Sequence, residues 1–140
     1  MNICARLFIE GGIMKKQDII DRLNKLGLDK NEYWVITGSA MVMYGLREET
    51  EDIDIGCSKK LADALEKQYG SKIQADGTRK IIIDNDIEIF ENWIYDEVND
   101  VRGIPVVSLT GLYQMKHSLG RDKDFKDIAL IDAYLRNIKK

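Results

Sequence analysis

Apolar positions recur at helical spacing in some stretches of the chain and alternate with polar ones, or bunch into short runs, in others. Lys15 to Leu26 places Ile19, Ile20, Leu23 and Leu26 three or four residues apart, which predicts a helix that Gly27 stops. Tyr33 to Thr37 is a short aromatic and β-branched run, hence a strand. Gly38-Ser39 then opens a helix from Ala40 to Tyr44, closed by Gly45. Asp52 to Cys57 alternates carboxylate and isoleucine, which is strand periodicity. Ser58 is placed to cap a helix with Leu61, Ala62, Leu65 and Tyr69 on one face. Arg79–Ile83 and Ile87–Trp93 are strands around Asp84-Asn85-Asp86, a turn-forming sequence that predicts a hairpin. Ile104 to Val107 is a further strand, whose proline points to an edge or a strand start. Ser108 caps a helix through Leu119, and Gly120 breaks it. A last helix from Asp122 turns Phe125, Ile128, Ile131, Leu135 and Ile138 inward. The order α-β-α-β-α-β-β-β-α-α predicts an α/β (α+β) fold, a mixed sheet of about five strands with helices packed on it.

Length changes the picture little: 140 residues suit one compact domain. A chain of this size buries roughly 68–70% of its unfolded surface, enough for one core. The net charge of −3 makes any nucleic-acid contact local, because a dedicated binder is usually basic. No apolar run approaches the roughly 18 residues of a membrane span. Cys4 and Cys57 sit in unlike contexts and suggest neither a disulfide framework nor a zinc site; a reducing, cytoplasmic setting is the default. Residues 1–13 read as an upstream extension. Glu10-Gly11-Gly12-Ile13-Met14 back-translates naturally into a purine-rich ribosome-binding site followed by a start codon. Residues 14–140 are then the domain.

The most informative segment is Asp52-Ile53-Asp54-Ile55. In a strand, Asp52 and Asp54 share one face while Ile53 and Ile55 point to the core. At a separation of roughly 6 Å and an effective dielectric near 20, the two carboxylates repel by about 3 kcal/mol. A hard divalent cation relieves that repulsion, and Mg²⁺ takes one or two carboxylates plus substrate phosphates. The bland alternative is a solvated strand face. Asp86-Ile87-Glu88-Ile89-Phe90 repeats the alternation, offering Glu88 mid-strand and Asp86 at the turn as a third carboxylate. Between Ile81 and Val101 lie seven acidic residues and no lysine or arginine, so this block surrounds a cation or forms an acidic rim.

Thr37-Gly38-Ser39 sits where a strand meets a helix. A glycine there admits a phosphate to the backbone, and amides and the serine hydroxyl can donate to it. A plain N-cap is the simpler alternative. The segment is neither a Walker A loop nor a nucleophile elbow. Arg47 and Thr50 lie on the loop before Asp52. Arg47 suits a phosphate or a pairing with Glu48, Glu49 or Asp52. Lys116, Arg121, Lys123 and Lys126 make a basic segment. Lys123 and Asp127 are spaced as an ordinary surface pair, while Lys116, Arg121 or Lys123 could instead face a triphosphate. His117 has no catalytic partner in register, and Cys57 reads as a small buried apolar residue.

Taken in order, Ile36-Thr37-Gly38-Ser39-Ala40, Tyr44-Gly45, Arg47, Thr50 and Asp52-Ile53-Asp54-Ile55 resemble the signature of the polymerase-β-type nucleotidyltransferase superfamily. Lys116 followed by Gly120-Arg121-Asp122-Lys123-Asp124 and Asp127 is similar to small bacterial proteins of the AbiEii toxin type and their uncharacterised relatives. The resemblance spans Tyr33 to Leu135 and rests on the joint order of loose motifs.

The resemblance implies a minimal nucleotidyltransferase fold. It implies Asp52, Asp54 and Glu88 as the catalytic, Mg²⁺- or Mn²⁺-binding triad. It implies Gly38 and Ser39 on the β/γ-phosphates, with Arg47, Thr50, Lys116, Arg121 and Lys123 as further phosphate contacts. An acceptor hydroxyl of tRNA, protein or a small molecule would attack the α-phosphate of a nucleoside triphosphate and release pyrophosphate. Two ions about 3.5–4 Å apart would assist. A toxin–antitoxin or defence setting, an antitoxin-like partner and a homodimer belong to the same expectation. Two features depart from the pattern: the third carboxylate is glutamate where aspartate is commoner, and the chain ends near the minimal core. A catalytically inactive nucleotide-binding or regulatory module is the alternative.

Overall fold

The computed structural model describes residues 13–93 and 97–138, the side chain of residue 138 excepted. The upstream extension lies almost wholly outside the described residues, as does the proposed inward side chain of Ile138. In chain order the elements are α1 (Lys16–Leu26), β1 (Tyr33–Ile36), α2 (Thr37–Met43), β2 (Ile53–Cys57), α3 (Lys59–Tyr69), β3 (Lys72–Ile73), β4 (Arg79–Ile83), β5 (Ile87–Glu91), β6 (Val98–Val101), β7 (Ile104–Val107), α4 (Leu109–Leu119) and α5 (Asp122–Ile138). The strands form one mixed sheet in the order β3-β4-β5-β2-β1-β7-β6. β2 runs parallel to β5 and β1 parallel to β7; the other neighbours are antiparallel. The expected class holds, with two strands more than the pattern predicted.

Local chemistry explains most boundaries. Ser58 and Ser108 accept from Leu61 N (3.2 Å) and Gly111 N (3.0 Å) as N-caps. Gly27 and Gly120 end α1 and α4 in left-handed geometry. The β4–β5 hairpin turns on Asp84 (φ 56°) and Asn85 (φ 67°), residue types that tolerate that region.

The alternation of isoleucines decides which face is closed. Ile53, Ile55, Ile81, Ile83, Ile87 and Ile89 all lie on one side, with Ile55 the register partner of Val35, and none is more than 2% exposed. α3 packs on β4 on this side. The opposite side carries Trp34, Asp54, Gly56, Ile82, Glu88 and Phe90 and is only partly covered.

Several expectations need correction. The helix after β1 starts at Thr37, not Ala40, so Gly38 and Ser39 lie inside its first turn. β7 is an interior strand, flanked by β1 and β6, so of the two places its proline pointed to the edge is wrong, while Pro105 does lie at the strand's start, as its second residue. Pro105 fits because Arg102 and Gly103 form a two-residue turn closed by Val101 and Ile104. The next pair, Asp100 with Pro105, then falls at a non-hydrogen-bonded position, where a missing N–H costs β6 nothing. Phe125 is 54% exposed rather than inward. The buried face of α5 is Asp124, Asp127 and Ile131, at helical spacing i, i+3, i+7, because cations from α4 and a loop meet the two aspartates there. Tyr69, expected on the inner face of α3, is 40% exposed.

Candidate active site

Strand register builds the acidic centre. Asp54 on β2 stands directly opposite Glu88 on β5, so both point to the open face, and Asp52 precedes Asp54 by two residues. One carboxylate oxygen from each of the three lies within 4.8 Å of the others. Asp86, the rival third carboxylate, is elsewhere: Arg22 grips it with two bonds of 2.6 and 2.8 Å.

Electrostatics register the crowding. Burial, followed by the charges of Asp52 and Glu88, pushes Asp54 up to about 6, although the Thr37 hydroxyl and Lys116 pull the other way. Asp52 is raised by burial first, then by Glu88 and Glu51, against the pull of Lys123. Glu88 has a cation of its own, Lys80, at 2.9 Å. Three oxygen donors of net negative charge, two of them titrating high, form a donor set that fits a hard divalent cation.

The turn after β1 positions Asp54. Ile36 is the register partner of Asp54, so Thr37 reaches across and its hydroxyl donates to Asp54 Oδ2 at 2.5 Å. Thr37 does so at φ 53°, a left-handed conformation costly for a β-branched residue. Ser39 is 1% exposed. Its hydroxyl donates to Ile36 O (2.8 Å) and accepts from Asp54 N (3.1 Å). That hydroxyl is therefore a pin between β1 and β2 and does not line the cavity. Gly38 does line it, and a Cβ there would stand 2.5 Å from an Arg47 Nη atom. Its lack of a side chain lets the guanidinium lie against the turn.

A cationic wall faces the triad. Lys116, 3% exposed, lies 3.0 Å from Asp127 and 3.5 Å from Asp124. Arg47 Nη2 donates to both oxygens of Asp127 at 2.8 Å, rather than to Glu48, Glu49 or Asp52. Arg121 holds Asp124 through its Nε (2.6 Å) and Nη2 (3.0 Å), which keeps that carboxyl below the usual range. Lys116, Arg47 and Arg121 against two aspartates leave the cluster one positive charge in excess. Lys123, expected beside Asp127, makes no ion pair among the described residues. Thr50 donates to Asp52 O (3.1 Å) and holds the loop at the triad.

Triad and wall line one cavity of about 340 Å³, a size at which small-molecule sites occur. Asp52, Asp54, Glu88, Gly38, Arg47, Thr50, Lys116, Arg121 and Lys123 all border it; of the expected site residues only Ser39 does not. Phe90, Trp93 and Leu119, which nothing in the sequence had marked as site residues, border it too, as do Thr37 and Asp127, which the sequence gave no role beyond their motifs and the Lys123 spacing. Two of these carry a readable signal: Phe90 lies two residues beyond Glu88 on the same strand, and Thr37 directly follows β1.

The fold is similar to the crystal structure of a Thermotoga maritima protein described as a "putative nucleotidyltransferase", with a TM-score of 0.58 and 20% identity, covering 89% of this chain and 96% of that one. At that identity the likeness is one of fold. No model of a known protein family matches the chain, and no curated protein matches it in sequence.

Proposed function

We propose that this chain is a metal-dependent nucleotidyltransferase that moves a nucleoside monophosphate from a nucleoside triphosphate to an acceptor hydroxyl. One observation carries the reading. Three carboxylates, Asp54 and Glu88 on two parallel strands and Asp52 just ahead of the first, converge on the open face of the sheet and share a cavity with a cationic wall. The anionic part suits a divalent cation and the cationic part suits phosphates, so together they suit a metal-bound triphosphate. The fold likeness and the motif order support the same conclusion.

In this reading Asp52, Asp54 and Glu88 hold Mg²⁺ or Mn²⁺. The bound ion supplies charge neutralisation at the transferred phosphate and its leaving oxygen. Arg47, Lys116, Arg121 and Lys123 receive the outer phosphates, and the Gly38 turn lets a phosphate approach the backbone. Ser39 and Thr37 act on Asp54, the first through its amide and the second through its carboxylate. The acceptor hydroxyl would give up its proton to solvent, and its oxygen would bond to the α-phosphorus as the bond to the pyrophosphate oxygen breaks and pyrophosphate leaves.

The test is label transfer: the protein is incubated with Mg²⁺, each labelled nucleoside triphosphate in turn, and tRNA or protein acceptors. Transfer is expected, and transfer that survives in Asp54→Asn removes the assigned metal role. The Lys80–Glu88 ion pair favours a second reading, a nucleotide-binding module without turnover, since it partly satisfies the third carboxylate from within. A nucleotide-dependent thermal shift without transfer would support it. The AbiEii-like order of motifs supports a bacterial toxin–antitoxin or defence setting for the active form. Expression should then arrest growth in a manner that Asp54→Asn relieves; unimpaired growth with the wild type rejects that setting.

A further inference from the structure

We propose that the wall formed by Phe90 and Trp93 is the seat of the nucleobase, and that this seat favours purine nucleoside triphosphates. The inference rests on the nucleotidyltransferase reading and extends it to the part of the cavity that carries no charge. Phe90 faces the same side of β5 as Glu88 and stands opposite Gly56, as Glu88 stands opposite Asp54. Two residues along a strand span about 6.6 Å, roughly the reach of the sugar that separates an α-phosphate from its base. Phe90 and Trp93 are stacked, with ring centroids 5.0 Å apart and planes inclined by 22°. Both are partly buried and border the cavity, as does Leu119.

The wall is built rather than incidental. The Trp34 indole N–H donates to Trp93 O and holds that residue over the sheet. Gly56 makes room for the arrangement: a Cβ there would lie 2.1 Å from Trp34 Nε1 and 2.3 Å from Trp93 O, and the second of these is backbone. Lys80 joins the wall to the triad, with its ammonium 5.4 Å from the Phe90 centroid and 2.9 Å from Glu88. One end of the cavity thus matches a metal and phosphates, and the other matches a flat, apolar ring. Stacking strength grows with ring area, which favours a purine over a pyrimidine.

The experiment titrates the whole chain with Mg²⁺ and either ATP, CTP or inorganic tripolyphosphate, reading heat and tryptophan fluorescence. ATP is expected to bind roughly tenfold or more tighter than tripolyphosphate, to quench the fluorescence, and to bind more tightly than CTP. Phe90→Leu, which keeps an apolar side chain in place, should bring ATP close to tripolyphosphate while leaving tripolyphosphate unchanged. Trp93→Ala should do the same, with circular dichroism confirming its fold. Equal binding of ATP and tripolyphosphate to the wild type, or an unchanged ratio in Phe90→Leu, overturns the base seat alone. Binding of neither probe overturns the underlying reading and the base seat with it.

Discussion

Among the described residues three carboxylates gather on each face of the sheet, and only one of these two clusters contains its own counter-charge at the centre. On the closed side of the sheet, Asp63, Glu66 and Glu91 surround Arg79, which lies 2.8 Å from Asp63, 3.2 Å from Glu66 and 2.8 Å from Glu91. All three carboxyls are held below their usual range. Arg79 is the main cause for Asp63 and Glu91, and the Ser71 hydroxyl followed by Arg79 for Glu66. On the open side, Asp52 and Asp54 are raised, chiefly by burial and then by acidic neighbours. β5 supplies both clusters, Glu88 to one face and Glu91 to the other. Where the cluster is structural, the chain provides an arginine at its centre. At the triad it places Lys80 on one member, and the three carboxylate oxygens lie close enough together to hold a metal ion.

Neutralising one member of each cluster should therefore act in opposite directions. Asp54→Asn is expected to cost on the order of 10³-fold in transfer rate, the scale of losing a principal electrostatic group. It should also raise the thermal midpoint of the metal-free protein, because a repelled carboxylate is gone. A lowered midpoint would mean that Asp54 stabilises the fold and that the triad is another internal network.

Arg79→Met is the next largest effect and falls on stability. Removing the hub of a buried pair costs about 3–5 kcal/mol, and exposure of Asp63 and Glu66 to water reduces that here to roughly 2 kcal/mol. Chemical denaturation measures it. Any transfer activity should be unchanged at temperatures where the variant is folded.

Thr37→Val is subtler. The methyl group fills the space of the hydroxyl, but Asp54 Oδ2 loses its donor. Loss of a group that orients a metal ligand typically costs 10–100-fold in metal affinity, so divalent-ion affinity should fall by about tenfold while the fold is retained. An unchanged affinity would show that the left-handed Thr37 serves the chain turn alone.

The legible and illegible parts of the molecule divide along the same comparison. Asp52, Asp54 and Glu88 could be read because strand alternation puts i and i+2 on one face and β-branched neighbours mark the strands. Ser58, Ser108 and Gly27 could be read because caps act within four residues. The partners of Arg47, Lys116 and Arg79 could not. Arg47 is 80 residues from Asp127 along the chain, and local spacing favoured its neighbours Glu48 and Glu49. Phe125 was misplaced for a related reason: apolarity puts it inside only if α5 is judged alone, whereas the cations of α4 and the Arg47 loop claim that face for Asp124 and Asp127. β6 escaped notice because Val98-Asn99-Asp100-Val101 is a polar, exposed edge strand. The short β3 lies at the other edge of the sheet.

The smallest expected effect is the pH dependence of metal-free stability, and it tests both clusters at once. Asp54 titrates near 6 in the folded state against 3.8 ordinarily. Between those values the folded protein binds a proton that the unfolded chain does not, so stability rises as pH falls through 6 towards 4. Asp63, Glu66 and Glu91 are shifted down, so the unfolded chain binds protons first and their contribution is lost as pH falls to about 4 and below. The two trends give a maximum between roughly pH 4 and 6. Asp54→Asn should flatten the limb above the maximum, and Arg79→Met the limb below it. A saturating divalent cation should also remove the upper limb, because it competes with the proton for the same oxygens and holds Asp54 ionised. Denaturation midpoints measured from pH 3.5 to 7.5, with and without Mg²⁺, separate these contributions. An upper limb indifferent to both Mg²⁺ and Asp54→Asn would remove the distinction between an internally neutralised cluster and one that waits for a cation.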